Sequence, residues 1–525
     1  MQTEYDVIVI GGGPAGTCCA SHLARQGFRI LLLEGKQFPR EHIGESLLAM
    51  SMPFLEALGV KQKLEATSFL HKAGSLFLWG QTEKVIPLTM PPPGYAFQVT
   101  RARFDYLLLD HAREQGVEIK QSAWARRLLH DTSRRIRGIQ VEEANGQTYC
   151  VSCSYVVDAS GLAQFVPRQL RLPIHLDGPK RIAISAYFRA AQRPAAPHEN
   201  DIVSEACQDG WLWFIPLDRD TTSIGFVSDE YIGSKRPGQQ LQRQIETSKL
   251  VKQLVHPAGI SREARILHYT NHILGSPLWG KGYVVVGDSA AFVDPLFSTG
   301  VHGALYSASL AAAGLAAVLR NKIDEADVSG WYDSKVRKHY GRVNETVKLL
   351  YGIHYGRSQF WRERDLSAIS EEEAERIAAL LGSAGMTFFR EAVRHGQLRL
   401  PDTLQPKLAE FSPPLRLTSA LTDQRVRLAP AIDLAQDWIY AKGQLIRGIR
   451  LSHRRNRTPE VELPLDSFNA RLILALDGQR QLAAILPEIL QGSMTTNARK
   501  EETKARLFIG TLMQAGILCQ EAKRN

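Results

Sequence analysis

Short apolar runs closed by glycine punctuate the first 300 residues. "YDVIVIGGG", "RILLLEGK", "YVVDASG" and "GYVVVGD" carry almost no polar alternation, the pattern of strands buried on both faces of a parallel sheet. Between them, "AGTCCASHLARQG" and "RARFDYLLLDHA" repeat apolar positions at three and four residues, which predicts helices, the first closed by Gly27. Other stretches, such as "PIHLDGPKRIAISAYFRA" and "TTSIGFVSDEYI", alternate in the manner of antiparallel strands. In "GWLWFIPL" (210–217) the alternation places Trp211 and Trp213 on one face. Core packing alone accounts for two large aromatics in such a strand.

After residue 305 the period becomes helical. "ALYSASLAAAGLAAVLRNK" has a small-residue apolar face, and "SEEEAERIAALLGSAG" opens with Ser370 as its N-cap and acids in the first turn. "LRLPDTLQPKLAEFSPPLRL" (398–417) holds four prolines and marks a boundary. Beyond it, "FNARLILALDGQRQLAAILPEIL" and "ETKARLFIGTLMQAGIL" predict amphipathic helices ending in a short strand, like a small winged-helix module. We therefore expect an α/β protein with a discontinuous Rossmann-like domain (1–75, 97–165, 281–345) and an antiparallel-sheet substrate domain (76–96, 166–280). A helical region (346–460) covers the substrate entrance, and a helical, winged-helix-like module (461–525) closes the chain.

Bulk properties narrow the picture only modestly. The chain has 525 residues, enough for several domains, with 44% hydrophobic and 22% charged residues. Its net charge of +10 favours anionic substrates or acidic partners. No basic run is interleaved with aromatics, so a nucleic-acid partner is not expected. The opening "MQTEYDVIVIGGG" reads as a strand rather than a signal peptide, and no uninterrupted apolar run predicts a membrane span. Six scattered cysteines, with a lone C-x2-C at Cys150 and Cys153, complete no zinc set and fit a reducing cytoplasm.

The chemistry begins at the first strand. Gly11, Gly13 and Gly16 fit G-x-G-x-x-G, with Ala15 inside the motif, followed by a helix and then a second strand ending at Glu34. The glycines let backbone approach a pyrophosphate, and the helix N-terminus offers free N–H groups at the positive end of its dipole. The Glu34 carboxylate can accept ribose hydroxyls. The complete strand–turn–helix–strand context carries the dinucleotide assignment, which the glycines alone would not.

Three later segments point to FAD: "QVTRARFDYLLLDHA" with Arg101 at its helix start, "YVVDASG", and "GYVVVGDSAAFVDPLFSTGVHGALYSA" with Asp288 in its Gly-Asp. In this order they resemble the para-hydroxybenzoate hydroxylase-like flavoproteins. That resemblance implies that Asp288 meets the flavin ribityl chain and that Arg40 and Arg101 help hold the cofactor.

Four further motifs resemble the flavin-dependent halogenases. "GESLL" places Ser46 against the flavin, and "GWLWFIPL" matches a W-x-W-x-I-P signature that sets Trp211, Trp213 and Pro216 beside it. "DPLFSTGVH" resembles the loop facing the isoalloxazine, with Pro295 in it. "HKAGSLFLWG" resembles the segment with the essential lysine, Lys72. The resemblance covers about residues 5 to 350. It implies that reduced flavin (FADH2) and O2 form a C4a-hydroperoxide, that halide attacks it to give hypohalous acid, and that Lys72 holds or carries the halogen. Backbone N–H groups of Thr299 and Gly300 are the expected halide donors; a plain helix N-cap is the other reading of those residues. Lys36 and Lys61, with polar neighbours, compete less well than Lys72 for the catalytic role.

One departure bears on the substrate. Tryptophan halogenases carry glutamate before Ser-Thr-Gly, and here the residue is Phe297. The chain thus resembles the branch acting on electron-rich phenols and pyrroles, free or on an acyl or peptidyl carrier protein. A second nicotinamide-type glycine motif is lacking, so a separate NAD(P)H-dependent flavin reductase is the expected partner. A monooxygenase or prenyl-chain reductase of the same fold is the alternative enzyme, and a flavoprotein scaffold presenting the C-terminal module is the non-enzymatic one.

Overall fold

The computed structural model describes residues 4–79, 85–90, 93–229, 236–255, 259–260, 263–275, 277–354, 358–362, 425–454, 460–491, 498–514 and 517–520. It divides into two compact units, residues 1–365 and 366–525.

In the first unit the glycine-closed apolar runs become the parallel core of an eight-stranded sheet. Tyr5–Ile10 lies between Ile30–Glu34 and Thr148–Asp158, pairing Val7 with Ile30 and Ile10 with Asp158. Glu118–Gln121 and Tyr283–Val285 extend it in parallel on the two sides. Val7, Ile8, Val9 and the run Ile30–Leu33 are buried on both faces, which is why their sequences show no alternation. Gly11, Glu34, Ala159 and Asp288 all lie at or just beyond the carboxyl ends of these strands, the edge at which open α/β sheets bind ligands.

The alternating segments form a nine-stranded sheet running Ala291–Phe292, Arg265–Leu274, Ile174–Arg189, Thr221–Ser228, Gly210–Pro216, Ile202–Cys207, Gly74–Leu78 and Ile86–Thr89, with Gly259–Ile260 beside Ile174–Arg189. In it Trp213 lies opposite Gly225, and a β-carbon on Gly225 would stand 2.1 Å from the indole. The glycine is there because the ring occupies its side-chain space.

Helix Gly300–Leu319 is long and apolar enough to cross a membrane, a feature that run-length inspection of the sequence passes over. Its most apolar window is 83% buried inside the protein, so it is placed as a core helix. All six cysteines are free thiols.

In the second unit, Ile432–Ala441, Gln444–His453 and Val461–Pro464 form an antiparallel sheet. This corrects the expectation of a helical region through 346–460: its described part from residue 425 onward is strand. The alternation in "IDLAQDWIYA" is the signal, and Lys442 and Gly443, both at positive φ, make the hairpin turn. Helices Phe468–Ala475, Leu482–Gln491 and Ala498–Gln514 bury Leu472, Ile485 and Ile509 in a common core. Strand Leu518–Gln520 pairs with Arg425–Leu428, so this small sheet draws a strand from before residue 461. The Ser370 N-cap and the proline-rich 398–417 stretch lie outside the described residues.

Candidate active site

A cavity of about 520 Å³ runs along the carboxyl edge of the parallel sheet to the face of the second sheet. At one end it is lined by Gly11, Gly13, Ala15, Glu34 and Arg40. Gly11 has φ of +105°, and a β-carbon there would lie 2.3 Å from the Ala159 carbonyl oxygen. A β-carbon on Gly16 would lie 1.9 Å from the carbonyl of Gly11, so Gly16 seats the helix under the turn and does not line the cavity. Helix Pro14–Ala24 starts with Gly13 as N-cap and no side-chain capping bond. Its first-turn N–H groups are therefore available at the cavity wall, as a pyrophosphate requires.

Glu34 is buried and accepts the backbone N–H of Gly12 at 2.8 Å and of Lys36 at 2.9 Å. Arg40 lies 3.8 Å from Glu34 and 3.3 Å from Asp105. Arg101 is held by Asp105 through two hydrogen bonds of 2.8 and 3.0 Å and donates to the Ile43 carbonyl. Asp288 lines the cavity, where burial pushes its carboxyl up to about 6 against the pull of Arg101. The volume of the cavity, the glycine cradle, the uncapped helix and the flanking cationic side chains together fit an FAD, with Asp288 in the same lining.

At the far end the walls are Trp211, Trp213, Pro295, Ser298 and Gly300. Trp213 donates to the Ser223 hydroxyl at 3.3 Å. Pro216 closes the tryptophan strand opposite Thr222 and stands outside the cavity lining. Gly300 begins the helix Gly300–Leu319 and Thr299 is its N-cap, without a side-chain capping bond. Thr299 and Gly300 line a smaller cavity of about 40 Å³; Gly300 lines the large cavity as well, and Thr299 does not. Phe297 sits with its ring 6.1 Å from that of Phe77, an apolar contact between this loop and strand Gly74–Leu78.

Lys72 does not line the large cavity; it stands behind it. The strand Ala96–Gln98 brings it there, pairing with Lys72 through Ala96 on one side and bridging to Ser46 through Gln98 on the other. Lys72 is 1% exposed and its ammonium donates to the Ser46 hydroxyl at 2.5 Å, while Ser46 lines the cavity. Burial lowers the amine to about 7, opposed by the charge of Asp201. Asp201 also accepts the N–H groups of Ala73 and Gly74 at 3.0 and 2.8 Å, which fixes the backbone just after the lysine. Lys36 lies at the opposite, Glu34 end of the cavity, and Lys61 pairs with Glu56 at 3.6 Å.

Several cavity residues carry no sequence signal of their own. His42 lines the cavity and is open to it, while the protein atoms crowded around its ring and the Arg101 charge lower it to about 4. Glu45 is buried beside Ser46, accepts the Tyr187 hydroxyl at 2.6 Å, and is raised by desolvation against the hydrogen bonds it receives. Tyr187 lies 142 residues away in the chain, so no local pattern could have paired them.

The tryptophan halogenase family model matches residues 6–87 and 83–400. The chain is 32% identical over 375 residues to a tryptophan 2-halogenase of Chondromyces crocatus, covering 70% of this chain and 72% of that protein. It is also 32% identical over 381 residues to the flavin-dependent halogenase armH3 of Armillaria mellea, covering 67% and 75%. Among solved structures, the myxobacterial chondrochloren halogenase CndH aligns with a TM-score of 0.67 at 30% identity, covering 78% of this chain and 98% of that one. The flavin-dependent halogenase CmlS aligns with a TM-score of 0.76 at 23% identity, covering 100% of this chain and 97% of that one.

Proposed function

Because the chain belongs to the flavin-dependent halogenase family, we propose that it chlorinates or brominates an electron-rich phenol or pyrrole ring, with Lys72 delivering the halogen. Bound as FADH2, the cofactor supplies, with O2, the oxidising equivalent that turns halide into hypohalous acid. A partner flavin reductase keeps it reduced.

The observation that carries this reading is the amine of Lys72, buried and 2.5 Å from a hydroxyl that lines the cofactor cavity. A solvated lysine would serve no such chemistry. An amine lowered to about 7 is largely a free base just above neutral pH, and the free base has the lone pair that takes up an electrophilic halogen. The amine displaces water from hypohalous acid: the N–halogen bond forms, the O–halogen bond breaks, and the amine proton leaves with the hydroxide as water. The ring then takes the halogen from nitrogen and returns its own proton to the amine, which restores Lys72.

Around this step, the N–H groups of Thr299 and Gly300 hold the halide, an anion that needs donors in a site with few waters. Trp211 and Trp213 fill the space beside the flavin and keep the substrate ring away from it. Phe297, whose ring meets that of Phe77, stands where tryptophan halogenases carry glutamate, so the position before Ser298 offers no carboxylate. A ring already activated by a hydroxyl or ring nitrogen manages without one. Net charge +10 suits a substrate carried by an acidic carrier protein as well as a free anion.

The test is an assay with FAD, a separate flavin reductase, NADH, chloride or bromide, and a panel of phenols, pyrroles and free tryptophan, read by mass shift and isotope pattern. Halogenated phenol or pyrrole supports the proposal. Halogenated tryptophan alone overturns the substrate assignment. Hydroxylated products, or saturation of a prenyl chain, overturn halogenation in favour of the monooxygenase or reductase reading.

A further inference from the structure

Behind the flavin-facing wall lies a buried polar network that packing does not require. Asp294, in the loop before Thr299, is completely buried. Its Oδ2 accepts the Arg181 guanidinium at 2.8 Å, the Tyr269 hydroxyl at 2.8 Å and the Tyr351 hydroxyl at 3.1 Å. Its Oδ1 accepts the Leu296 N–H at 3.1 Å, and its own N–H donates to Asn271 Oδ1 at 2.9 Å. Asn271 in turn donates to Asn344 at 3.1 Å. Tyr351 also serves as an acceptor, taking the indole N–H of Trp211 at 2.6 Å. Its ring lies under the Arg181 guanidinium, 5.0 Å from centroid to Cζ. Arg181, Tyr269, Tyr351 and Trp211 are each 7% exposed or less.

A buried ion pair contributes little net stability, because desolvation offsets its attraction. What such a cluster does supply is geometry: its Asp294 and Tyr351 hydrogen bonds form together in one arrangement, with the Arg181 Nε left facing Asp229 at 3.6 Å. Here that arrangement joins two features that the cofactor cavity sees separately, the Trp211 indole on one wall and the loop leading to Thr299 and Gly300 on the next. Resting on the halogenase reading above, we propose that Tyr351 is a positioning residue for halide. Through Asp294 it fixes the loop that holds the halide donors, and through the indole N–H it fixes Trp211 against the same loop, so the two move as one unit.

Tyr351→Phe tests this, since it removes only the hydroxyl and keeps the ring among Arg181, Trp79 and Trp361. Trp211→Phe removes the N–H at the other end, and the double variant closes the cycle. Two readouts are needed: the bromide concentration that perturbs the absorption spectrum of bound, oxidised FAD, and the KM for bromide in turnover. The expected result for Tyr351→Phe is about a tenfold weaker bromide response and a similar rise in bromide KM, the scale of one hydrogen bond to a charged group. FAD affinity and the KM for the aromatic substrate of Tyr351→Phe should stay within about twofold, and the bromide loss of the double variant should fall clearly short of the product of the two single losses, as linked residues predict. Wild-type bromide affinity in Tyr351→Phe, or losses that multiply in the double variant, would overturn the relay while leaving halogenation intact. A wild-type protein that binds FAD but gives neither a bromide response nor a halogenated product overturns both.

Discussion

The ammonium of Lys72 meets the hydroxyl of Ser46 at 2.5 Å, across a single strand that pairs with both residues' segments. One side chain faces the cofactor cavity and the other is sealed behind it. On this account the halogen passes over that hydroxyl to reach the amine.

Replacing Lys72 with Met keeps the volume and deletes the amine. Halogenation should fall by about a thousandfold or more, on the scale of losing a covalent catalytic group. FAD affinity, measured by quenching of flavin fluorescence, should remain within about threefold. Halogenation above a tenth of the wild-type rate would remove the lysine from the reaction.

The same substitution has a pH signature in stability. The unfolded chain holds the Lys72 proton up to about 10.5, and the folded one only to about 7. Below pH 7 both states are charged and the cost of burying that charge is felt in full, about 5 kcal/mol at about 1.36 kcal/mol per pH unit. Between 7 and 10.5 the unfolded state binds the extra proton, so stability rises with pH and the cost fades. The melting temperature of Lys72→Met should exceed wild type most below pH 7 and converge with it near pH 10. In wild type, the halogenation rate should climb as pH rises through about 7, because the free amine is the active form; a rate that falls there would mark the ammonium instead.

Gly225→Ala should destabilise the protein by about 1–3 kcal/mol, read by chemical denaturation, because the new methyl meets the Trp213 indole at 2.1 Å. FAD affinity should drop with it as the indole is pushed toward the cavity it lines. An unchanged midpoint would show that the ring has room to move.

Glu34→Ala should weaken FAD binding about 10- to 100-fold, since the carboxylate orders the Gly12 and Lys36 N–H groups at the cofactor's ribose end. Retained affinity, measured by titration of the free protein with FAD, would place the ribose elsewhere.

The sequence pattern reveals what the backbone dictates locally. Gly11 needs positive φ and closeness to Ala159, and Glu34 closes a strand of buried aliphatics, so both announce themselves in a short window. Trp211 and Trp213 are legible as neighbours on one face, but their partners, Tyr351 and Ser223, are not, because tertiary structure brings them together. Asp294 is visible only as part of a loop resemblance; three of the donors to its carboxylate, Arg181, Tyr269 and Tyr351, come from two strands and a helix far apart in the chain. The strands at 432–453 escape a reading that extends the preceding helical period past its evidence, although the alternation and the Lys442–Gly443 turn are present.

The central claim is a sealed transfer from the cofactor cavity to Lys72, and it is tested most directly by a scavenger. Bromination of the preferred ring is followed by mass spectrometry with and without a large excess of free methionine, which consumes hypobromous acid in bulk solution. The account predicts the same yield of brominated product in both. A yield that collapses as methionine is added would show the oxidant escaping into water, and would contradict it.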